Sequence, residues 1–600
     1  MGSALNKIYI ADFDIKLELT KPDVSGSEID VDNNFVDFSL CQGNFSEYSA
    51  EFDHLDDPTH AEAIQRTGAE ANVTFRGDLE DGDLLFFDWR GDINNFEGVR
   101  EIFTGPSGPM FEVAGLTPLE VLKKIWDDDI IDHIVRETNR YANQMQVKAA
   151  SKINSRMSRW RDTTGEEIWR FFTIIMLQSF VVNNVEREYW YPSNEQLKIG
   201  AFEKIMFFNR FLLLKRCLQF VDNTVLPENP SEFDKVMPVI KHLNQKFSTL
   251  YLPEQNVAIK ESLLPWKGPL PFAQLIATKR AKVGVKSYEL CESRTGYLWR
   301  MEVYSGKGHV HAPQEAPQEA IEGKKVENDS ESATSEIVYT LMKPLFGKGH
   351  TIVMDNSCNA PLLSRLLKTK HKTDTMGSLR LNREFVPETL KCKNKENMKV
   401  GEVCFSTTKD LSVVVWKDKN VVAMISTFHQ PQVGGNEKYG YKYKPKVMLD
   451  YNLSMGGVDH KDQTLHAFPL ERVRNTCWYQ KLFRRLLNVS VHNAMVIYNH
   501  DRTQKSQLGN RDFRLQLVRE MLQMCSISGT NCSPTKPPKP PSPTPLSQLH
   551  LPAKNQKSQR CKLCYEAKVR RATVWRCSTC QVNLCIEGCY TAYHVKYVCK

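Results

Sequence analysis

From Leu116 onward the apolar residues of this chain fall at helical spacing. In "LTPLEVLKKIWDDDIIDHIVRETNRYANQ" (116–144), Leu119, Val121, Leu122, Ile125, Ile130, Ile131 and Ile134 form one stripe. That recurrence, three or four residues apart, predicts an amphipathic helix. Thr117 and Pro118 supply an N-cap followed by a proline at the first helical position, where a missing N–H costs nothing. The same spacing continues through "GEEIWRFFTIIMLQSFV", "FEKIMFFNRFLLLKRCLQFV" and "FDKVMPVIKHLNQKFSTLY". Residues 113–250 are therefore expected to be all-helical.

Near residue 256 the pattern shortens. "VAIKESL", "VGVKSYELCES", "GYLWRMEVYS" and "HTIVMDN" are short β-like runs, and "SEIVYTLMKPLF" and "APLLSRLLKTK" read as helices. Strands and helices in this order predict an α/β sheet across 251–378. Inside it, "GHVHAPQEAPQEAIEGKKVENDSES" carries a tandem APQEA and predicts an exposed loop. Residues 379–445 give further β-like runs, among them "GEVCFSTTK", "LSVVVWKDK" and "VVAMIST". Helices return after 465, in "WYQKLFRRLLNVSVHNAMVIYNH" and "RDFRLQLVREMLQMC". Seven of the twelve residues from Pro534 to Pro545 are proline, which makes 529–558 a semi-rigid linker. It sets apart a C-terminal module at 559–600. Residues 1–112 are acidic and weakly periodic, and are expected to form a largely disordered arm.

At 600 residues, 41% of them hydrophobic, the chain is long enough for several buried cores. Its longest apolar run, Phe171–Val182, is too short to cross a bilayer, which takes about 20 residues. It reads as a buried helix, and no membrane partner is expected. The N-terminus shows no basic segment followed by an apolar one, so a signal peptide is not expected and cytosol or nucleus is. Residues 1–60 hold 13 Asp/Glu against 3 Lys; with a total of +8, the remainder carries +18. An acidic arm on a basic body suits a nucleic-acid binder; a solvated tail on an ordinary basic protein is the plainer alternative.

Seven of the 16 cysteines lie within Cys561–Cys599. The spacing is Cys561-x2-Cys564-x12-Cys577-x2-Cys580-x4-Cys585-x3-Cys589-x4-His594-x4-Cys599. Eight such donors predict two tetrahedral Zn²⁺ sites, and an interleaved pairing of ligands is expected. A module this small needs metal to fold. Ten Lys/Arg against two Glu over 551–600 favour DNA as its partner; acidic tails, histone tails or the protein's own arm are alternatives.

Carboxylates supply the candidate chemistry. Asp355 closes the strand-like "TIVMDN". Asp459 and Asp462, in "YNLSMGGVDHKDQ", share a helical face, where like charges repel unless a cation or water intervenes. Asp459 taken alone also reads as a helix N-cap.

Several stretches together resemble the piggyBac transposase family, especially its domesticated, transposable-element-derived members. "NRFLLLKRCLQFVDN" (209–223), followed by "KVMPVIKHLNQKF", is similar to the family's "RF…LHF.DN" region. "TKRAKVGVKSYELCES" (278–293) resembles "NKPxKxGxKxxxxCdS", and "GSLRLNRE" (377–384) resembles "GTxRxNRK". "YNLSMGGVDHKDQ" is similar to "YNxxxGGVDxxDQ", and the Cys/His array to the family's cross-brace zinc module. The resemblance runs from about Leu116 to the C-terminus. It implies a multidomain α/β chain in the nucleus: an RNase H-like domain (251–378 and 446–465) with a β-rich insertion domain (379–445). A helical dimerisation and DNA-binding domain (113–250 and 466–528) is split around it, so DNA and a second copy of the chain are the implied partners.

The family's reaction, hairpin-forming cut and paste at TTAA sites, uses three aspartates to hold two Mg²⁺, which activate the attacking oxygen and stabilise the leaving one. The second maps to Asp355, the third to Asp459 with Asp462 as accessory. The first belongs in "xxIDExxxxFKG", and here "VAIKESLLPWKG" puts Lys260 at that position. A charged ammonium has no lone pair for a metal. Against a dication at about 4 Å it costs roughly 8 kcal/mol at an effective dielectric near 20. Glu261, next on the strand, points to the other face. The family's "DNFFTS" is also altered, to "DNSCNA" at 355–360. The resemblance thus implies a non-cleaving DNA-binding protein in which Lys260 pairs with Asp355 or Asp459. A transposase with an altered Mg²⁺ site and a zinc-module protein or chromatin adaptor are the alternatives. Basic residues retained for phosphate contacts are Lys279, Arg280, Lys282, Lys286, Lys461, Arg472 and Arg474, with Lys481, Arg484 and Arg485 along the following helix.

Overall fold

In a computed structural model, the described residues are 7–10, 15–18 and the chain from 82 onward, excepting 150–155, 195–197, 225–232, 269, 271, 277–282, 305, 307–328, 435–443, 473–476, 528–549 and 598–600. The APQEA loop, the proline-rich stretch and most of the acidic arm therefore lie outside the described residues. The chain divides into two compact units, Met1–Cys525 and Ser526–Lys600.

The first helical stripe is buried throughout, yet it spans two helices. α1 (Pro118–Ile125) begins with Thr117 and Glu120 bonding each other's backbone N–H groups in a capping box. It stops at Trp126. The Asp127 carboxylate then accepts from the Ile130 N–H at 3.3 Å, starting α2 (Asp128–Ala149). α3 (Gly165–Leu177) buries most of the long apolar run in the core, and no described helix is long and apolar enough to cross a membrane. α4 (Phe208–Cys217) and α5 (Met237–Leu250) complete this half.

β1 (Asn256–Pro265), β2 (Val283–Glu292) and β3 (Leu298–Tyr304) form an antiparallel meander. After α6 (Asp329–Met342), β4 (Thr351–Met354) pairs parallel to β1. After α7 (Pro361–His371), β5 (Asp374–Ser378) pairs parallel to β4. The resulting order β3-β2-β1-β4-β5 is that of an RNase H-like core. β6 (Val403–Thr407), β7 (Ser412–Lys417) and β8 (Val421–Ser426) extend the same mixed sheet through an antiparallel β5–β8 pairing. The region after 379 keeps an apolar cluster of its own around Leu390, Leu411 and Val413. Its start is thus a change of core within a continuous sheet. α8 (Lys446–Ser454), α9 (Gly456–Ala467), α10 (Trp478–Asn499) and α11 (Asn510–Ile527) follow. One main core runs from Val121 of α1 through the sheet to Leu522 of α11, so helices and sheet share it.

The expectation of a disordered arm up to 112 is corrected for its last thirty or so positions. Residues 82–112 lie against the sheet unit. Arg90 and Thr407 exchange backbone hydrogen bonds at 2.8 Å, and the Glu97 N–H donates to Lys409 O at 2.9 Å. The Arg365 guanidinium stacks 3.7 Å from the Phe87 ring centroid, donates to Phe86 O, and forks onto Asp410 at 2.8 Å. Anchors such as Leu84, Phe87, Trp89 and Phe96 have no helical or strand period, so the segment carries no periodic signal.

In the second unit, β9 (Pro552–Arg560) pairs antiparallel with β10 (Ala572–Cys577). Short α12 (Lys562–Glu566) and α13 (Cys589–Tyr597) complete it. Its buried apolar cluster is Cys561, Cys564 and Leu584, far too little to offset chain entropy by hydrophobic burial. Residues 550–558, expected in the linker, belong to this unit through β9.

Candidate active site and metal centres

Strand alternation decides which residues meet. On β1, Val257 and Ile259 face the main core, while Ala258 faces a second cluster with Val353, Met448 and Met455. Lys260 follows Ala258 in parity and Asp355 follows Val353. Ile259 is level with Met354 across the parallel pair, so Lys260 and Asp355 are the next positions on one face. Lys260 is also opposite Glu289 of β2. α9 covers this face and carries Asp459, Lys461 and Asp462. Gly457 permits the approach, since a Cβ there would lie 2.5 Å from Glu292 O.

Lys260 Nζ donates to both oxygens of Asp459 at 2.8 Å. Asp355, buried, accepts from the Ser357 N–H at 3.0 Å and the Ser357 hydroxyl at 2.5 Å. Ser357 belongs to the altered "DNSCNA" stretch, so each retained aspartate has a protein donor supplied by a departure from the family pattern. The Tyr451 hydroxyl of α8 is pushed up, first by burial and then by the fields of Asp355 and, less, Asp459, and stays neutral. Glu261 points away and pairs with Lys286 at 3.2 Å.

Behind this pair runs a buried ionic chain. Lys461, fully buried, pairs with Glu289 and lies 3.2 Å from Asp462. Asp462 accepts from Arg485 at 2.5 Å, and Arg485 reaches Glu471 at 3.7 Å. Burial pushes the Asp462 carboxyl up, but Lys461 and Arg485 outweigh it and hold it well below the usual range. These residues do not fit a pair of Mg²⁺ ions. An ammonium occupies the position where the resemblance implies a carboxylate, and both oxygens of Asp459 and Oδ1 of Asp355 already accept hydrogen bonds.

The expected phosphate contacts fare unevenly. Lys279, Arg280, Lys282 and Arg474 lie outside the described residues. The expectation for Lys461 is corrected, because it is fully buried. Lys286 is largely buried, paired with Glu261 and 4.6 Å from the Tyr288 ring centroid. Arg472 donates to Asn183 O at 3.0 Å and stays partly exposed. On α10, Lys481 donates to Pro265 O at 2.6 Å, Arg484 to Leu470 O at 3.1 Å, and Arg485 serves Asp462. Their partners come from other elements, which the sequence of α10 alone does not reveal.

In the second unit, two sets of four donors converge, each within 4.8 Å: Cys561, Cys564, Cys585 and Cys589, and His550, Cys577, Cys580 and His594. The sets interleave along the chain. Cys599 lies outside the described residues. His550 was not among the expected ligands; it precedes the cysteine-rich span by 11 positions, and a His in a proline-rich linker gives no spacing signal. The first set offers four sulfurs and the second two sulfurs and two imidazole nitrogens, both donor sets that suit Zn²⁺. Backbone N–H groups also point at the sulfurs: Cys580 N donates to Cys577 Sγ at 3.3 Å and Cys585 N to Cys561 Sγ at 3.4 Å.

Comparison with known proteins places the chain. Residues 117–495, more than half of it, match a transposase family model described as Transposase IS4. Human PiggyBac transposable element-derived protein 3 is 24% identical over 509 residues, covering 82% of this chain and 78% of that protein. Human PiggyBac transposable element-derived protein 2 is 23% identical over 397 residues, covering 64% of this chain and 62% of that protein. Among solved structures, the piggyBac transposase synaptic complex with hairpin DNA, determined by cryo-EM, superposes with a TM-score of 0.61. It is 23% identical and covers 80% of this chain and 98% of that one. With this fold, and with the "GGVDHKDQ" and "DN" stretches at one end of its sheet, the chain belongs to the piggyBac transposase family.

Proposed function

We propose that this protein is a piggyBac-derived, nuclear DNA-binding protein that does not cleave DNA, its catalytic centre closed by an internal ion pair. The observation that carries this reading is Lys260 Nζ at 2.8 Å from both oxygens of Asp459. That contact consumes a metal ligand and places positive charge where a cation would sit. Asp355 turned onto Ser357 supports it. The DNA-binding half rests on the +18 balance outside residues 1–60 and on the basic C-terminal module, in which two Zn²⁺ ions are structural. The helical half dimerises and positions DNA, as the family resemblance implies.

The test is nicking of supercoiled plasmid by the purified protein in Mg²⁺ or Mn²⁺, beside Lys260→Asp and Asp355→Asn. The parent is expected to leave the plasmid intact while binding duplex DNA with an affinity that falls steeply with salt. Nicking by the parent that Asp355→Asn abolishes would overturn the proposal in favour of a transposase with an altered metal site. DNA binding that is absent at low salt would instead favour a protein-interaction adaptor.

A further inference from the structure

We propose that His550 is the fourth ligand of the second Zn²⁺ site, making it a Cys2His2 centre whose first ligand lies outside the cysteine-rich span. This rests on the zinc reading above. Zn²⁺ binds sulfur at about 2.3 Å and nitrogen at about 2.0–2.1 Å, so a tetrahedron requires sulfur–sulfur edges of roughly 3.8 Å and sulfur–nitrogen edges of roughly 3.5 Å. The all-cysteine set gives Cys564–Cys585 at 3.9 Å and Cys564–Cys589 at 3.5 Å. In the second set, His594 Nε2 stands 3.3 Å from Cys577 Sγ and 3.7 Å from Cys580 Sγ. His550 Nδ1 stands 3.4 Å and 3.0 Å from the same two atoms. Both imidazoles meet the sulfurs at ligand–ligand distances, as two corners of one tetrahedron.

The placement of His550 follows from the fold. β9 begins at Pro552, level with Cys577 of β10. The Ser578 N–H donates to Leu551 O at 2.8 Å, and the Leu551 N–H donates to the Ser578 hydroxyl at 3.3 Å. The residue after His550 is thereby tied to the residue after Cys577. On the opposite corner, His594 Nδ1 donates to Tyr590 O at 2.7 Å, which leaves the Nε2 lone pair for metal. A structural Zn²⁺ takes four ligands. Among the described residues, each set already holds four donors.

Zinc per chain, measured by elemental analysis and native mass spectrometry on the full-length protein, tests this. The parent and Cys599→Ser are expected to hold two zinc ions, His550→Ala one, and His550→Cys two, because a thiolate can occupy the same corner. Co²⁺-loaded His550→Cys should also show stronger sulfur-to-cobalt charge-transfer absorption than the parent, having one more thiolate. If His550→Ala unfolds the module and loses both ions, recovery in His550→Cys still identifies position 550 as a ligand. Two ions in His550→Ala would overturn the proposal, and one ion in Cys599→Ser would give the corner to Cys599. A parent without zinc would instead remove the zinc reading itself.

Discussion

The Glu289–Lys461 pair makes the sharpest energetic prediction. Both side chains are interior, 4% and 0% exposed respectively. Lys461→Met keeps the length and most of the volume but deletes the charge. Glu289 then retains the Ser287 hydroxyl at 3.1 Å as its partner. Stranding one charge of a buried pair costs about 3–5 kcal/mol, against a total of about 5–15 kcal/mol for a typical domain. Glu289→Met should cost less, because Lys461 keeps Asp462 at 3.2 Å. The double variant replaces the pair by two apolar side chains of similar size, which is often neutral or stabilising by about 1–4 kcal/mol. Urea unfolding followed through the buried Trp126, Trp190 and Trp299 provides the readout. The double variant should be more stable than Lys461→Met, with a coupling of about 3 kcal/mol. A double variant whose loss equals the sum of the two single losses would refute the pairing as an energetic unit.

Asp462→Asn tests the same network by pH. The folded Asp462 carboxyl is held below its unfolded value, near about 3.9, despite burial, by Lys461 and Arg485. Its stabilisation is thus complete above the unfolded value and is lost as pH falls toward the folded one. Acid unfolding of the parent should steepen below about pH 4, while Asp462→Asn, less stable at neutral pH, should show a flatter profile. Arg365→Ala should free residues 82–90, measured as new proteolytic cleavage near Phe86, and Arg365→Lys should not rescue, since it cannot fork onto Asp410 while stacking on Phe87. Chelation should melt the 550–597 module alone, leaving near-ultraviolet circular dichroism from the tryptophans of the first unit unchanged; loss of that signal would refute a metal-independent first unit.

Much of the fold was legible because its elements are strongly periodic. The stripe Leu119–Ile134 and the runs around Val257 and Ile352 each announced an element by spacing. The break at Trp126 was hidden, because one apolar face continues across two helices and only the Asp127 cap divides them. At the candidate site, motif spacing pointed to Lys260, Asp355 and Asp459. It could not distinguish Asp459 from Asp355 as the partner of Lys260, which depends on how α9 docks through Gly457. Lys461 read as a surface cation because its partner Glu289 lies far away in sequence, on β2. His550 was missed for a similar reason: its neighbours Cys577 and Cys580 arrive through strand pairing.

The buried pair also constrains which substitutions the fold tolerates. Lys260, a fifth exposed and facing a half-exposed Asp459, can be exchanged at small cost to the fold, since such pairs contribute only about 0–1 kcal/mol. Lys461 cannot, because without it Glu289 is left as a charge in the interior. Loss of Lys461 is therefore the larger step downhill in stability, and loss of Glu289 the smaller. The charge at 260 is thus separable from the fold, whereas the Glu289–Lys461 pair behind it is part of what holds the sheet and α9 together.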